Sequence, residues 1–260
     1  MIDFTGLKVL VVGDPLTDVY HFGHVDRISP EAPVPVFVED RVETRWGGAA
    51  NVCHQIIALG VSHYTDFPDT PWEEKHRYMV GSHQMFRVDI PVRYEHPEDS
   101  GDTFGFDAII LSDYGKGWLS PSFCQNLIQG AIKKTIPVIV DPKGSDWSKY
   151  QGATVICPNE REYAQWDRRS HFDRLVVKLG EKGMNVIEKG KDHVQIPAMA
   201  RHVFDVTGAG DVVVAIISCA LASGASLPDA ATLASHAAGY VVGEVGTAVC
   251  PLEKLKELVA

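Results

Sequence analysis

The chain has few cysteines, no long apolar run and a deficit of positive charge, and each shortage removes a class of protein from consideration. Its five cysteines (Cys53, Cys124, Cys157, Cys219 and Cys250) lie far apart within mostly apolar segments. So spaced they offer neither a disulfide framework nor a zinc site, and they read as reduced core residues. The eleven histidines show no metal-ligand spacing. No signal peptide opens the chain and no run is apolar for long enough to span a bilayer. A membrane is therefore not an expected partner, and a cytoplasmic location is the expectation. With 24 Lys and Arg against 34 Asp and Glu, a net charge of −10, nucleic acid is not an expected partner either. A small anion stays open, because a local cluster of basic side chains suffices to bind one. Repeats, low-complexity tracts and linkers are also missing. What remains is a chain of 260 residues, 45% hydrophobic and 22% charged, sized for one α/β domain.

Several short apolar runs have the character of buried parallel strands, each closing on a polar loop marked by glycine or proline. Lys8–Gly13 leads to Asp14, and Asp107–Leu111 leads into Ser112-Asp113-Tyr114-Gly115-Lys116-Gly117 and a helix through Ile132. Pro137–Val140 ends in Asp141-Pro142-Lys143-Gly144, Thr154–Cys157 in Pro158-Asn159-Glu160-Arg161-Glu162, and Leu175–Val177 in Lys178-Leu179-Gly180-Glu181-Lys182-Gly183. The repetition argues for a doubly wound sheet with ligands beyond the carboxyl ends of its strands. Asp14, and with it Asp18, then stands at a site mouth; the competing reading is that Asp14 only caps a turn.

Two stretches differ in character. Residues 21–46 are proline-rich around Ser29–Val38 and then alternate, as in a projecting β-ribbon that serves as a lid or a dimer contact. Residues 75–89 alternate too and carry Lys75, Arg77 and Arg87, either a solvated strand face or a place for a phosphate. Between them, Gly47 and Gly48 open a helix running to Leu59, where backbone amides and Asn51 could meet a sugar hydroxyl. Val61–Trp72 shows little pattern. Met184–Ile196 reads as a hairpin, and residues 211–223, 228–243 and 252–259 as helices.

The stretch that organises the rest is Asp205-Val-Thr-Gly-Ala-Gly-Asp211, followed by an apolar, glycine-free run from Val212 to Ala222. A glycine turn feeding a helix N-terminus offers unpaired N–H groups and the positive end of the helix dipole to an anion. A carboxylate at Asp211 is expected to be held ionised there, ready to accept a hydroxyl proton while the amides take up charge on a transferring phosphoryl group. Locally, an ordinary Asp cap after a glycine turn fits equally well.

Taken together, the segments resemble the ribokinase-like family of sugar kinases. Those that carry the resemblance are Val12-Gly-Asp14, Arg27–Val36, Gly47–Asn51, Leu111–Gly117, Asp141–Gly144, Asp205–Asp211 and Val242–Thr247. Arg27–Val36 points within that family to the bacterial heptose-7-phosphate kinase branch, the kinase half of a bifunctional heptose kinase/adenylyltransferase of lipopolysaccharide core synthesis. The resemblance implies an α/β, ribokinase-like, doubly wound and mostly parallel sheet with a small β lid. The expected organisation is a single kinase domain over 1–260, with lid segments 21–46 and 75–89. It implies ATP and Mg²⁺ as cofactors, a sugar phosphate as substrate, and a homodimer formed through the lid. By position, Asp211 is the implied base, and Gly208, Ala209 and Gly210 form the anion hole. Asp14, Asp18, Gly47, Gly48, Asn51, Lys75, Arg77, Asp113 and Lys143 fall on the sugar side. Asn159, Glu162, Lys178, Gly180, Gly183, Val245 and Gly246 fall on the nucleotide side, with Asn159 and Glu162 reaching the metal through water.

Three departures from the family pattern bear on this. The chain after Val61 is short by about one β-α unit, which implies a clipped sheet edge, and the segment after Glu162 is short too. Lys178 stands where the family has Thr, and Ser235 where it has Asn. No adenylyltransferase domain follows within the sequence. The clipped edge keeps a second reading open, a kinase-like protein that binds a sugar phosphate without turnover, beside a kinase of another sugar or a nucleoside.

Overall fold

The computed structural model describes residues 2–95, 105–200, 203–244 and 248–260. Its larger sheet grows from β1 (Lys8–Gly13), which alternates between two cores: Val9 and Val11 face one, Leu10 and Val12 the other, and all four are buried. A strand covered on both faces must be apolar at every position, which is why this one shows no polar alternation. The remaining elements are α1 (Ala49–Ala58), β4 (Ser62–Asp66), β7 (Ala108–Ser112), α2 (Pro121–Lys133), β8 (Val138–Asp141), β9 (Val155–Ile156), α3 (Glu160–Gln165) and β10 (Arg174–Lys178). They are followed by β11 (Met184–Glu188), β12 (Val194–Ile196), α4 (Ala209–Ala222), α5 (Leu227–Val241) and α6 (Leu252–Leu258). The order across the sheet is β12-β11-β10-β9-β8-β7-β1-β4, parallel from β10 to β4, with β11 and β12 antiparallel at the far edge. The chain leaves β1 to β4 on one side and returns to β7 on the other. That reversal is the switch point at which open α/β sheets hold ligands.

A second sheet of four strands, order β3-β2-β5-β6, is made by β2 (Pro15–Ile28), β3 (Pro35–Gly48), β5 (Glu73–Val80) and β6 (His83–Ile90). It is the expected projecting ribbon with corrected limits, for it begins directly after Asp14 and not at residue 21. Two other expectations also change. The patternless segment after Val61 holds β4, which pairs with β1 from Lys8↔Ser62 to Val12↔Asp66, so the sheet keeps a strand at this edge. The Asn159 motif opens a short helix, α3, where only a loop was expected.

Helix α4 runs through the middle of one core. Val212 to Ala220 are all buried, and the helix packs against α1, α5, β7 and β8. A helix apolar on every side must be enclosed, and only the first turn of α4 opens on a cleft. Truncating Ile217, fully buried in α4, to Ala is expected to cost about 2–5 kcal/mol in urea unfolding. Ile57→Ala on α1, 43% exposed, should cost less than about 1 kcal/mol. Equal losses would contradict this packing.

Candidate active site

The site is built on the first turn of α4. Gly208 caps the helix with φ at 80°, a left-handed conformation that glycine adopts without steric cost, and Ala209, Gly210 and Asp211 follow as the first three helical residues. First-turn N–H groups lack a carbonyl within the helix to bond; that of Ala209 donates instead to the Val206 carbonyl of the preceding loop at 3.3 Å, and the helix dipole adds positive potential at the same place. A Cβ at position 210 would lie 3.3 Å from the Lys178 ammonium, so glycine here lets a cation approach the helix end.

Asp211 is 4% exposed. Asn51 on α1 donates from Nδ2 to Oδ2 at 2.6 Å, and the Tyr114 hydroxyl donates to Oδ1 at 3.0 Å. Burial pushes the carboxyl from its ordinary 3.8 up to about 7, although the Asn51 and Tyr114 hydrogen bonds and the Lys178 charge oppose it; Asp141 adds to the rise. This runs against the expectation of a carboxylate held ionised by the helix end, because desolvation outweighs both donors and the Lys178 charge. A value near neutrality suits a general base better than a low one. The other carbonyl-type acceptor in the group, Asn51 Oδ1, is buried and has no hydrogen-bond partner among the described residues.

Beside Asp211 opens a cleft of about 810 Å³. Its inner end is polar. Lys178 Nζ lies 2.6 Å from Asp141 Oδ1, and Lys143 Nζ lies 3.2 Å from Glu162 Oε1. Burial alone would lower the Lys178 pKa, but the Asp141 carboxylate beside it reverses the shift, while burial raises that of Asp141 against the pull of Lys178. Asn159 and Glu162 form a reciprocal capping box at the start of α3: each side chain accepts the other residue's backbone N–H, at 2.8 and 2.9 Å. Gly180 and Gly183 line the cleft, and Met184, Val206, Ala238 and Val242 give it an apolar wall. Ser235 lines the cleft as well, its hydroxyl donating to the Pro197 carbonyl at 2.6 Å. Val245 and Gly246 lie outside the described residues.

On the opposite side of Asp211, the small sheet presents Asp18, paired with Arg77. Lys75 lies beside Asp18 in the strand register, with its ammonium 5.7 Å from the centre of the Tyr114 ring. Burial lowers the Lys75 pKa. Gly47 and Gly48 are required by close approach, since a Cβ would sit 2.6 Å from the Asp18 carboxylate or 2.5 Å from the Asp14 carbonyl, respectively. Two acids are turned inward. Asp14 accepts the backbone N–H groups of Tyr114, Lys116 and Trp118 at 2.9, 3.0 and 3.2 Å. Asp113 accepts Gly115 N–H and the Tyr150 hydroxyl and pairs with Lys149. Both anchor the loop after β7. Sequence reasoning passed over Tyr114, Asp141 and Arg45. Tyr114 and Asp141 lie inside motifs already noted, and Arg45 is revealed only by the register that sets it opposite Asp18.

The family model for pfkB family carbohydrate kinases matches residues 119–255. The chain belongs to that family. Its relatives among curated proteins include Bifunctional protein HldE of Hahella chejuensis, 36% identical over 98% of this chain, and that of Pseudomonas syringae pv. syringae, 37% identical over 98%. The same protein of Geobacter sulfurreducens is 37% identical over 95%. In each case the chain spans a little under two thirds of the relative, 64%, 64% and 62%. Among solved structures, Arabidopsis thaliana ribokinase complexed with ribose and ATP aligns with a TM-score of 0.77 at 18% identity, covering 97% of this chain and 98% of that one. Escherichia coli phosphofructokinase-2 aligns at 0.72 and 18%, covering 97% of each. The fold is thus ribokinase-like, and the enzyme class of this pfkB-family chain is phosphotransfer to a sugar hydroxyl.

The raised Asp211 pKa has a signed consequence for stability. Below about pH 4 the group is protonated in both folded and unfolded chains. Between about 4 and 7 the unfolded chain ionises first, so stability falls as pH rises, and above that window the loss is complete. Three units at about 1.4 kcal/mol each set a ceiling on the order of 4 kcal/mol. Asp211→Asn removes this contribution. Its urea-unfolding stability relative to wild type should climb from pH 4.5 to 7.5 and then level off; a difference that stays constant with pH would contradict the assignment.

Proposed function

We propose that the protein is an ATP- and Mg²⁺-dependent kinase of D-glycero-β-D-manno-heptose 7-phosphate, phosphorylating O1 to give the 1,7-bisphosphate. One observation carries the reading: Asp211, its pKa raised to about 7, lines the cleft from the first turn of α4 and is held on its other side by Asn51 of the sugar-side cluster. The cleft suits a nucleotide, having an apolar wall for a base and cations and amides at the phosphate end. In the reaction, Asp211 takes the proton from the acceptor hydroxyl. The acceptor oxygen forms its bond to the γ-phosphorus as the bond to the bridging oxygen breaks, and that electron pair leaves on ADP. The amides of residues 208–210 and Lys178 carry the charge spread over the transferring group. Lys143, which lines the same cleft, would add a second cation for these phosphates.

Magnesium, carried by the nucleotide phosphates, would screen their charge. Among the described residues no cluster of three His, Cys, Asp or Glu side chains could hold a metal ion. Asn159 and Glu162 already spend oxygens on the capping box and on Lys143, so they would hold the ion through water.

On the sugar side, the unpartnered Asn51 Oδ1 is an acceptor suited to a hydroxyl, and Asp18 is another. Lys75 and Arg77, on one face of β5, suit the 7-phosphate, and the Arg27–Val36 match and the HldE relatives favour a heptose. The small sheet would close over the sugar and exclude water. One of its faces leaves Val42, Trp46, Phe86, Val88 and Ile90 each between 44% and 48% exposed. A second copy of the chain would cover that face, giving a homodimer.

The test is coupled ADP release with Mg-ATP and, separately, heptose 7-phosphate, fructose 6-phosphate, ribose and adenosine. Turnover is expected with the heptose alone, and Asp211→Asn should lose it by more than about 10³-fold while still binding ATP. Turnover on a different acceptor would sink the substrate, and ATP binding without turnover on any of them would sink the activity.

A further inference from the structure

Tyr114 has no part in the chemistry described above, yet its hydroxyl is one of only two side-chain donors to the Asp211 carboxylate among the described residues. The loop that carries it is unusually well fixed. Asp14, at the end of β1, gathers three backbone N–H groups, from Tyr114, Lys116 and Trp118. Asp113 holds the loop from the other side through Gly115, Tyr150 and Lys149. Lys116 also pairs with Glu73 at the start of β5. Two buried acids and an ion pair thus immobilise a segment whose one side chain reaching Asp211 is a phenol.

We propose that Tyr114 is the positioning residue of the catalytic base, setting the plane and the proton affinity of the Asp211 carboxylate while Asn51 holds its other oxygen. Two donors on two different oxygens fix a carboxylate's rotation, which a single donor cannot do. The lone pairs they leave free then point in a set direction, toward the acceptor hydroxyl. Asp14 and Asp113 act at one remove, by holding the loop. The inference rests on the phosphotransfer reading and deepens it.

The other groups around the carboxylate do not duplicate this role. Asn51 comes from α1 and carries no charge. Asp141 at the end of β8 raises the Asp211 pKa, and Lys178 at the end of β10 lowers it. Asp18 on β2 acts on Tyr114 by charge, and Lys75 on β5 lies over its ring. The phenol itself is held well above its usual range, by burial and then by the neighbouring Asp211 and Asp141 carboxylates. It therefore stays protonated and donates throughout the working pH range.

Two replacements move the base in opposite directions. Tyr114→Phe keeps the ring and loses the donor. Its kcat is expected to fall about 10-fold, the scale of one hydrogen bond to a charged group. The KM for ATP should be unchanged, and the acid limb of kcat/KM should move about half a unit or more to higher pH. Replacing Tyr114 by 3,5-difluorotyrosine, a more acidic and stronger donor of nearly the same shape, should move the limb to lower pH. A residue that merely packs would shift neither limb, and superimposable profiles for all three proteins would overturn the proposal. If wild type turns over no acceptor, the phosphotransfer reading has failed by itself. The positioning role is then read from unfolding: the Asp211-dependent fall in stability should shift upward in pH in Tyr114→Phe, and an unshifted fall would overturn it.

Discussion

Burying one carboxylate at the mouth of a helix organises this molecule. Asp211 sits in the first turn of α4, the turn that opens on the cleft, while the rest of the helix is enclosed, so the backbone that carries the acid is fixed by the core. The surroundings must then make an unsolvated carboxylate tolerable. They do so with donors from distant parts of the chain, Asn51 and Tyr114, and with Lys178, whose own charge is balanced by Asp141. The balance is incomplete, since desolvation still dominates. Incomplete balance is what leaves the group near neutrality, where it can both take and release a proton.

The same constraint explains why so many acids line the strand ends without serving alike. Asp14 and Asp113 are invested in backbone N–H groups of the loop after β7. Asp141 is invested in Lys178, and Asp18 in Arg77. Each lies beyond the carboxyl end of a strand, or on the ribbon that follows one, as the doubly wound topology dictates. Their neighbours, and not their place in the fold, decide whether they hold a loop, balance a cation or face the substrate. The small sheet joins this arrangement at two points, through Glu73 with Lys116 and through Lys75 over Tyr114. The ribbon that would cover the sugar is thereby tied to the loop that touches the base.

Much of this was legible in the sequence, and the reasons for the exceptions are physical. Helix α4 and its glycine turn could be read because both are local: a left-handed cap, a run of apolar residues, nothing to interrupt them. The parallel strands could be read because burial on two faces leaves an unbroken apolar signature. The strand Ser62–Asp66 could not, because an edge strand exposed along nearly its whole length carries polar residues that mimic a loop. Helix α3 was hidden because Asn159 and Glu162 read as ligand-binding residues, although they also form the capping box that starts the helix. The proton affinity of Asp211 lay beyond reach for a different reason. It is set by residues 51, 114, 141 and 178, which only the fold brings together. The local features, a helix dipole and a glycine turn, pointed to the opposite sign.

Everything proposed for this site depends on Asp211 being a buried carboxyl that titrates near neutrality. Carboxyl-carbon NMR of the protein labelled at its aspartates, with Asp211→Asn to assign the resonance, measures this directly in the absence of any substrate. The expected midpoint is about 7, with the resonance insensitive to pH below about 5. A midpoint at the ordinary aspartate value, near 4, would mean that the helix end and its donors outweigh burial. Asp211 would then be a permanently ionised residue at the helix terminus, and the claim of a base poised near neutrality by desolvation would be wrong.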